Sequence, residues 1–359
     1  MHADHDESSG FVGEASASTA TAPVGARSGV GRDAPSVDVL SDALRGIRLT
    51  GATFFLVEAD HPWAAEAPAA STLAPALVSG ARHVISYHAI VRGSCWGGLL
   101  GQAPVPIAAG DVLILPQGDA YALRTQPDVH GTMPIDATLS FFRAMAAHSL
   151  PPVVRASNAI AHQLEIVCGF LVCDALHDSP VLAALPRLLV VRGTDPQRSE
   201  RLDQLIDYAV RETRELAAGG DCVLTRIGEL IFVEAVRRYL AADVEENAGW
   251  LAGLRDPVVG RALALLHARP GEPWTVERLA GEVGRSRSAL AERFSTLVGQ
   301  PPMQYLSRWR IQLAVRRLDQ SHVKIAAPAL ELGYESEAAF SRAFKQATGV
   351  PPSRWRGRA

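Results

Sequence analysis

The sequence predicts an α+β protein: a β-barrel in the N-terminal half, a helical hairpin after it, and an all-α C-terminal domain with two helix-turn-helix units. Three observations carry this. Short β-branched and aromatic runs, punctuated by Gly, Pro and Asp, fill residues 37–191. Beyond about residue 199 the apolar residues recur at helical spacing instead. Near the C-terminus one motif is written twice, as GRSRSALAERFSTLVGQPP (284–302) and GYESEAAFSRAFKQATGVPPSRWR (333–356).

Residues 1–36 are rich in Ser, Ala, Thr, Gly and Pro, and read as a disordered tail. Strands are expected at ATFFLVEA (52–59), HVISYHAIV (83–91), DVLILP (111–116) and LEIVCGFLVC (164–173). GDVLILPQGDAYAL (110–123) reads as strand, tight turn, strand, because Pro116 and Gly118 stop the first strand. These runs define a barrel or sandwich over residues 37–195.

A first helix is expected through Leu202, Leu205, Ile206, Ala209 and Val210, spaced i, i+3, i+4, i+7, i+8. A second follows from Asp221, with Ile227, Leu230, Ile231, Glu234 and Arg238 on a face that turns polar toward its end. Ala218-Gly219-Gly220 between them makes residues 199–245 a helical hairpin and a candidate dimerisation element. ENAGWLAGLRDP has linker composition, so residues 246–256 are expected to join that hairpin to a C-terminal domain at 257–359.

Each copy of the repeat has the same grammar. A short helix (Val276–Val283, and about Pro328–Leu332) ends at a Gly, Gly284 or Gly333, suited to a left-handed turn. Ser286 or Ser336 then stands where it can cap the next helix. Leu290/Phe294 and Phe340/Phe344 face inward at i and i+4. The opposite face carries Ser288, Ala291 and Glu292 in one copy and Ala338, Ser341 and Arg342 in the other. Two such helices on one body fit two successive major grooves, about 34 Å apart on the duplex. The segment YLSRWRIQLAVRRLDQS (305–321) reads as the helix joining them, with Arg308, Arg310, Arg316 and Arg317 as candidate phosphate contacts. Pro328 should keep the first helix of the second copy short.

Charge agrees with a polyanion partner at this end. Residues 257–359 hold 16 Lys and Arg against 8 Asp and Glu. Of 35 basic and 38 acidic residues in the chain, 19 and 30 remain elsewhere, so a net of +8 faces one of −11. The opening MHADHDESSG lacks the basic and apolar regions of a signal peptide, and no apolar run is long enough to span a membrane. Cys95, Cys168, Cys173 and Cys222 are too few for a disulfide framework in a chain of 359 residues. A reduced, cytoplasmic setting is expected. No Ser/His/Asp or Cys/His catalytic set and no phosphate-cradling loop stands out.

The residues WTVERLAGEVGRSRSALAERF (274–294) and GYESEAAFSRAFKQATGVPPSRWR (333–356) resemble the DNA-binding domain of the AraC/XylS family. The resemblance implies two helix-turn-helix motifs joined by a long helix, with double-stranded promoter or operator DNA and RNA polymerase as partners. By that resemblance Arg287, Ser288, Ala291 and Glu292, then Glu337, Ala338, Ser341 and Arg342, contact bases; Arg285, Ser286, Ser336 and Lys345 complete the candidate interface. LSDALRGIRLTGATFFLVEADHPW (40–63), YHAIVRGSCWGG (87–98) and AAGDVLILPQGDAYAL (108–123) are similar to the cupin-like sensing barrel of one AraC-type subgroup, as are VCGFLVCD (167–174) and LAALPRLLVV (182–191). That implies a transcription activator responding to a small molecule or a redox signal, and a homodimer.

A cupin metal site needs three or four converging His, Glu or Asp side chains. His88 is present, but where the subgroup commonly reads PHGDAH this chain has Pro116-Gln117-Gly118-Asp119-Ala120-Tyr121, without either histidine. No metal or other cofactor is therefore expected, and no catalytic residue. The alternative function is a metal-dependent cupin enzyme with an accessory DNA-binding domain. His88, Cys95, Tyr121, Cys168 and Cys173 are the effector or redox candidates. Cys168 and Cys173, five apart on one strand, should face opposite sides.

Overall fold

The computed structural model describes residues 37–47, 49–81, 83–156, 163–173, 179–193, 200–215, 217–241, 249–320 and 326–355. The expected tail, residues 1–36, lies outside them. All the described residues fall in one unit, Pro35–Ala359.

The N-terminal region is built on ten strands in two sheets: β1 (Leu49–Ala59), β2 (Ala64–Ala67), β3 (His83–Arg92), β4 (Ser94–Leu99), β5 (Val105–Ala108), β6 (Val112–Leu115), β7 (Tyr121–Arg124), β8 (Val153–Arg155), β9 (Leu164–Cys173) and β10 (Leu189–Val191). One sheet runs β10-β6-β3-β9-β1-β8 and the other β2-β7-β4-β5. The longest pairings are antiparallel, with β9 between β1 and β3, placing Cys168 opposite both Phe55 and His88.

Both faces of the larger sheet are covered, and the strands alternate between two cores. Leu56, Tyr87, Val167 and Cys173 point to one core, and Phe55, Cys168, Phe170 and Val172 to the other. Burial on both sides explains why VISYHAIV and LEIVCGFLVC read as nearly continuous apolar runs. It also places Cys168 and Cys173 on opposite faces of β9.

The strand, turn and strand expected at 110–123 are present as β6 and β7, but in different sheets: β6 pairs with β3 and β10, while β7 pairs with β2 and β4. The turn at Pro116–Gly118 thus carries the chain between sheets. Helices also stand where strand signals dominate: α1 (Val39–Leu44), α2 (Ala70–Leu77), α3 (Ile135–Ala146) and α4 (Pro180–Ala184). In α3 the buried Thr138, Phe142 and Met145 follow a helical stripe that the surrounding strand signals obscured.

Helices α5 (Glu200–Glu215) and α6 (Gly220–Ala241) pack on each other and on the larger sheet. Tyr87 crosses Gly169 of β9, where any Cβ would overlap its ring, and its hydroxyl reaches Gly228 of α6. Glycine at both places lets the helix lie close to the sheet. On α6 the polar end of the expected face is buried, with Glu234 and Arg238 at 9% and 7% exposure, whereas Leu230 is 51% exposed.

The C-terminal domain comprises α7 (Trp250–Arg255), α8 (Val259–Ala268), α9 (Val276–Glu282), α10 (Arg287–Val298), α11 (Pro302–Gln320), α12 (Ala326–Glu331), α13 (Glu337–Thr348) and α14 (Pro352–Trp355). The expected linker thus contains α7. Trp250 and Leu251 are buried there, and the Trp250 Nε1–H donates to the Tyr305 hydroxyl at 3.0 Å. The small polar residues around this turn masked two anchoring side chains. Asp256 then starts α8 by accepting from the backbone N–H groups of Val258 and Val259. No helix among the described residues is long and apolar enough to cross a membrane.

Candidate nucleic-acid interface and the barrel cluster

The two copies of the repeat fold alike because the same local rules act in each. Gly284 and Gly333 both adopt positive φ, +67° and +79°. Ser286 accepts from the Ala289 N–H at 3.3 Å, and Ser336 from the Ala339 N–H at 3.2 Å, so both serines cap their helices. Gly299 and Gly349 end α10 and α13 in the left-handed conformation. Leu290, Phe294, Phe340 and Phe344 are fully buried.

What remains outward is the candidate interface. Arg285, Ser286, Arg287, Ser288 and Glu292 are exposed on the first unit, with Ala291 half-buried. Ser336, Glu337, Ala338, Arg342 and Lys345 are exposed on the second, with Ser341 half-buried. Their cations are not equivalent. Arg287 pairs with Glu277 at 2.8 Å, while Arg342 and Lys345 form no ion pair among the described residues. Helix α12 has six residues with Pro328 third, within the first turn where proline is tolerated.

The arginines of α11 divide differently from the expectation. Arg308 is exposed. Arg310 instead donates to the carbonyls of Pro270, Glu272 and Gly333 at 2.7, 2.8 and 3.3 Å. It therefore ties the turn of the second unit to the loop preceding the first. Gly271 and Gly333 touch backbone to backbone there, and a Cβ on Gly333 would overlap the Gly271 carbonyl. Arg316 donates to the Asp42 carbonyl at 2.5 Å, and Arg317 pairs with Glu331. Arg310 and Arg316 hold protein rather than phosphate, because each lies half-buried with its donors turned to backbone carbonyls. Sequence spacing shows a basic helix face but not what packs upon it.

Asp42 of α1 also approaches His267, at 3.6 Å between Oδ2 and Nδ1. That is too long for a hydrogen bond. Burial, and then Arg316, pull the His267 imidazole down to about 3, so Asp42 does not prevail and the ring is neutral at pH 7. Its Nε2 lies 2.8 Å from the Tyr305 hydroxyl, and it stacks on Trp309. Asp256, which opens α8, binds Arg293 of α10, and this pairing with the backbone donors holds its carboxyl below the usual range.

In the barrel the structure brings together four of the five candidate effector residues. His88 Nδ1 lies 3.2 Å from Cys168 Sγ and its Nε2 lies 2.7 Å from the Tyr121 hydroxyl. Cys95 shares that core, whereas Cys173 faces the other one. Phe170 sits edge-on to His88 and stacks with Phe55. Burial drives the His88 imidazole down to about 3 and the Cys95 thiol up to about 12, and raises Cys168 as well. At neutral pH the cluster is a neutral imidazole between a phenol and a thiol, without a thiolate to react. Among the described residues no group of three or more His, Cys, Asp or Glu is arranged to hold a metal ion. Cys222, which is not one of the effector candidates, is the exposed cysteine.

Paired helix-turn-helix units on one body, attached to a two-sheet domain, define a DNA-binding transcription regulator. Comparison with known proteins places it further. Residues 38–241 match the cupin family and residues 279–358 a helix-turn-helix domain family. A Streptomyces lividans protein described as an AraC-like transcription regulator is 32% identical over 295 residues, covering 80% of this chain and 93% of its own. The HTH-type transcriptional regulator AlkR of Acinetobacter baylyi is 29% identical over 326 residues, covering 89% of this chain and 99% of its own. The chain belongs to the AraC family of transcriptional regulators, with an N-terminal cupin domain.

Proposed function

We propose that this regulator is a promoter-binding activator that reads its operator through α10 and α13 together. Arg285, Ser286, Arg287, Ser288, Ala291 and Glu292 would meet one major groove, and Ser336, Glu337, Ala338, Ser341, Arg342 and Lys345 the next. The single observation that carries this is the Arg310 tie, which fixes one reading unit against the other before any DNA is bound. The regulator acts in the cytoplasm as a homodimer that engages RNA polymerase and is not an enzyme. Exposed Tyr208 and Leu230 on α5 and α6 support the hairpin as the dimer surface. The cupin domain receives a small-molecule signal; the raised thiols of Cys95 and Cys168 weigh against a redox signal at that cluster.

The test is footprinting of the purified protein on the DNA upstream of its own gene, at two salt concentrations. Protection should cover two adjacent major grooves on one face and weaken as salt rises. Arg342→Ala should relax discrimination at one base pair by about 1–3 kcal/mol. Protection of one groove alone, or an unchanged footprint in that variant, would sink the two-groove reading.

A further inference from the structure

A cavity of about 410 Å³ opens where the helical hairpin meets the larger sheet, away from both the interface and the barrel cluster. Its walls are apolar where Phe54 of β1, Met145 of α3 and Leu224 of α6 line it, and acidic where Glu212 of α5 and Asp221 of α6 do. The volume suits a small organic molecule.

Glu212 is what gives the cavity a chemistry. It is only 8% exposed. Its Oε1 lies 2.9 Å from where a Cβ on Gly220 would stand, so the carboxylate rests against the first turn of α6. Three donors of that turn are directed elsewhere: the N–H of Gly220 goes to Ala217, and those of Cys222 and Val223 go to Gly219. Among the described residues Glu212 accepts no hydrogen bond and forms no ion pair. Its oxygens open onto the cavity rather than being sealed in the core, so a cation entering there would supply the partner the protein does not. The positive end of the α6 dipole lies beside it. Asp221 adds negative charge at the mouth, where His148 Nδ1 stands 3.4 Å from its Oδ2, both side chains being exposed.

We propose that this cavity binds a small organic cation, its ammonium or amidinium head on Glu212 and its apolar body against Phe54, Met145 and Leu224. The site stands apart from the DNA reading and from the barrel cluster, and is tested without either.

Calorimetry on the full chain would compare 2-phenylethylammonium with 2-phenylethanol and 3-phenylpropanoate. The ammonium should bind with one-to-one saturation, and Glu212→Gln should weaken it at least about tenfold, the scale of one charge-assisted hydrogen bond. The neutral alcohol should not distinguish the two proteins. Cys222, exposed and lining the same cavity, supplies a positional readout. Its alkylation by iodoacetamide should slow in the presence of the ammonium, and not in Glu212→Gln. Should Glu212→Gln fail to fold, Cys222→Trp blocks the cavity from an exposed position and should abolish binding. Equal affinity for the carboxylate probe, unchanged affinity in Glu212→Gln, binding retained in Cys222→Trp, or no saturable binding at all would each overturn the proposal.

Discussion

The two reading units share a motif but not a foundation. The core of the first, with Leu279, Leu290, Phe294 and Val298, runs without a break into the core behind the larger sheet. The second closes a small core of its own, in which Phe340 and Phe344 meet Ile311, Val315 and Leu318 of α11. Asp256 binds Arg293 in the first, while the second hangs on α11 and the Arg310 tie. Local sequence rules thus build equal recognition helices, and their surroundings make them mechanically unequal. A change in the sensing domain has a packed route to the first unit, through α1 and α8, and a polar one to the helix bearing the second, from Asp42 of α1 to Arg316 of α11.

The largest effect should come from the small core. Phe344→Ala should cost about 3–5 kcal/mol. Hydrogen exchange should then show the second unit opening alone, with half of the footprint lost. Phe294→Ala, of the same intrinsic cost, should lower unfolding of the barrel and first unit together. Equal, local effects of the two changes would break the comparison.

Next stands Arg310→Ala. It strands the carbonyls of Pro270 and Gly333 and removes a charged donor, for a loss of about 2–3 kcal/mol by denaturant titration. Binding to isolated half-sites should survive while affinity for the full operator falls, because the two units lose their fixed spacing. Operator affinity equal to that of the unchanged protein would mean that the tie is not what aligns them.

Acid should sharpen the contrast by a smaller amount per pH unit. His88 and His267 are held neutral in the folded state, down to about 3, against an ordinary value of 6.5. The unfolded chain binds more protons between those values, so stability should be fully present above pH 6.5 and fall as pH drops toward 3. Each histidine contributes a slope of about 1.4 kcal/mol per pH unit within that window. His267→Gln should halve the slope of the joint barrel and first-unit transition. A slope unchanged by that substitution would show that His267 is not held neutral.

The smallest effects should be alike in the two units. Ser286→Ala and Ser336→Ala should each cost about 1 kcal/mol, since both serines cap in the same way. Thermal melts that differed widely would mean that the caps are not equivalent.

Much of the second-unit architecture was legible because it rests on neighbours in the chain. Ser336, Gly333 and Gly349 announce caps and turns wherever they occur, and Phe340/Phe344 announce an inward face. Helix α3 was not legible, since its stripe of Thr138, Phe142 and Met145 is thin and set among strand signals. Trp250 went unread because its partner, the Tyr305 hydroxyl, comes from α11. At the candidate interface the outward residues followed from the repeat alone, but the committed roles of Arg310 and Arg316 did not.

By itself the sequence determined the duplicated units, their caps and turns, the alternation of the central strands and the basic C-terminal end. All of these follow from interactions a few residues long or from summed charge. Only the tertiary structure decided which sheet receives β7, that His88 bridges Tyr121 and Cys168, which arginines of α11 are spent on carbonyls, and that Glu212 faces a cavity with no protein partner among the described residues. Each of those depends on what a distant segment brings alongside, and no local preference carries that information.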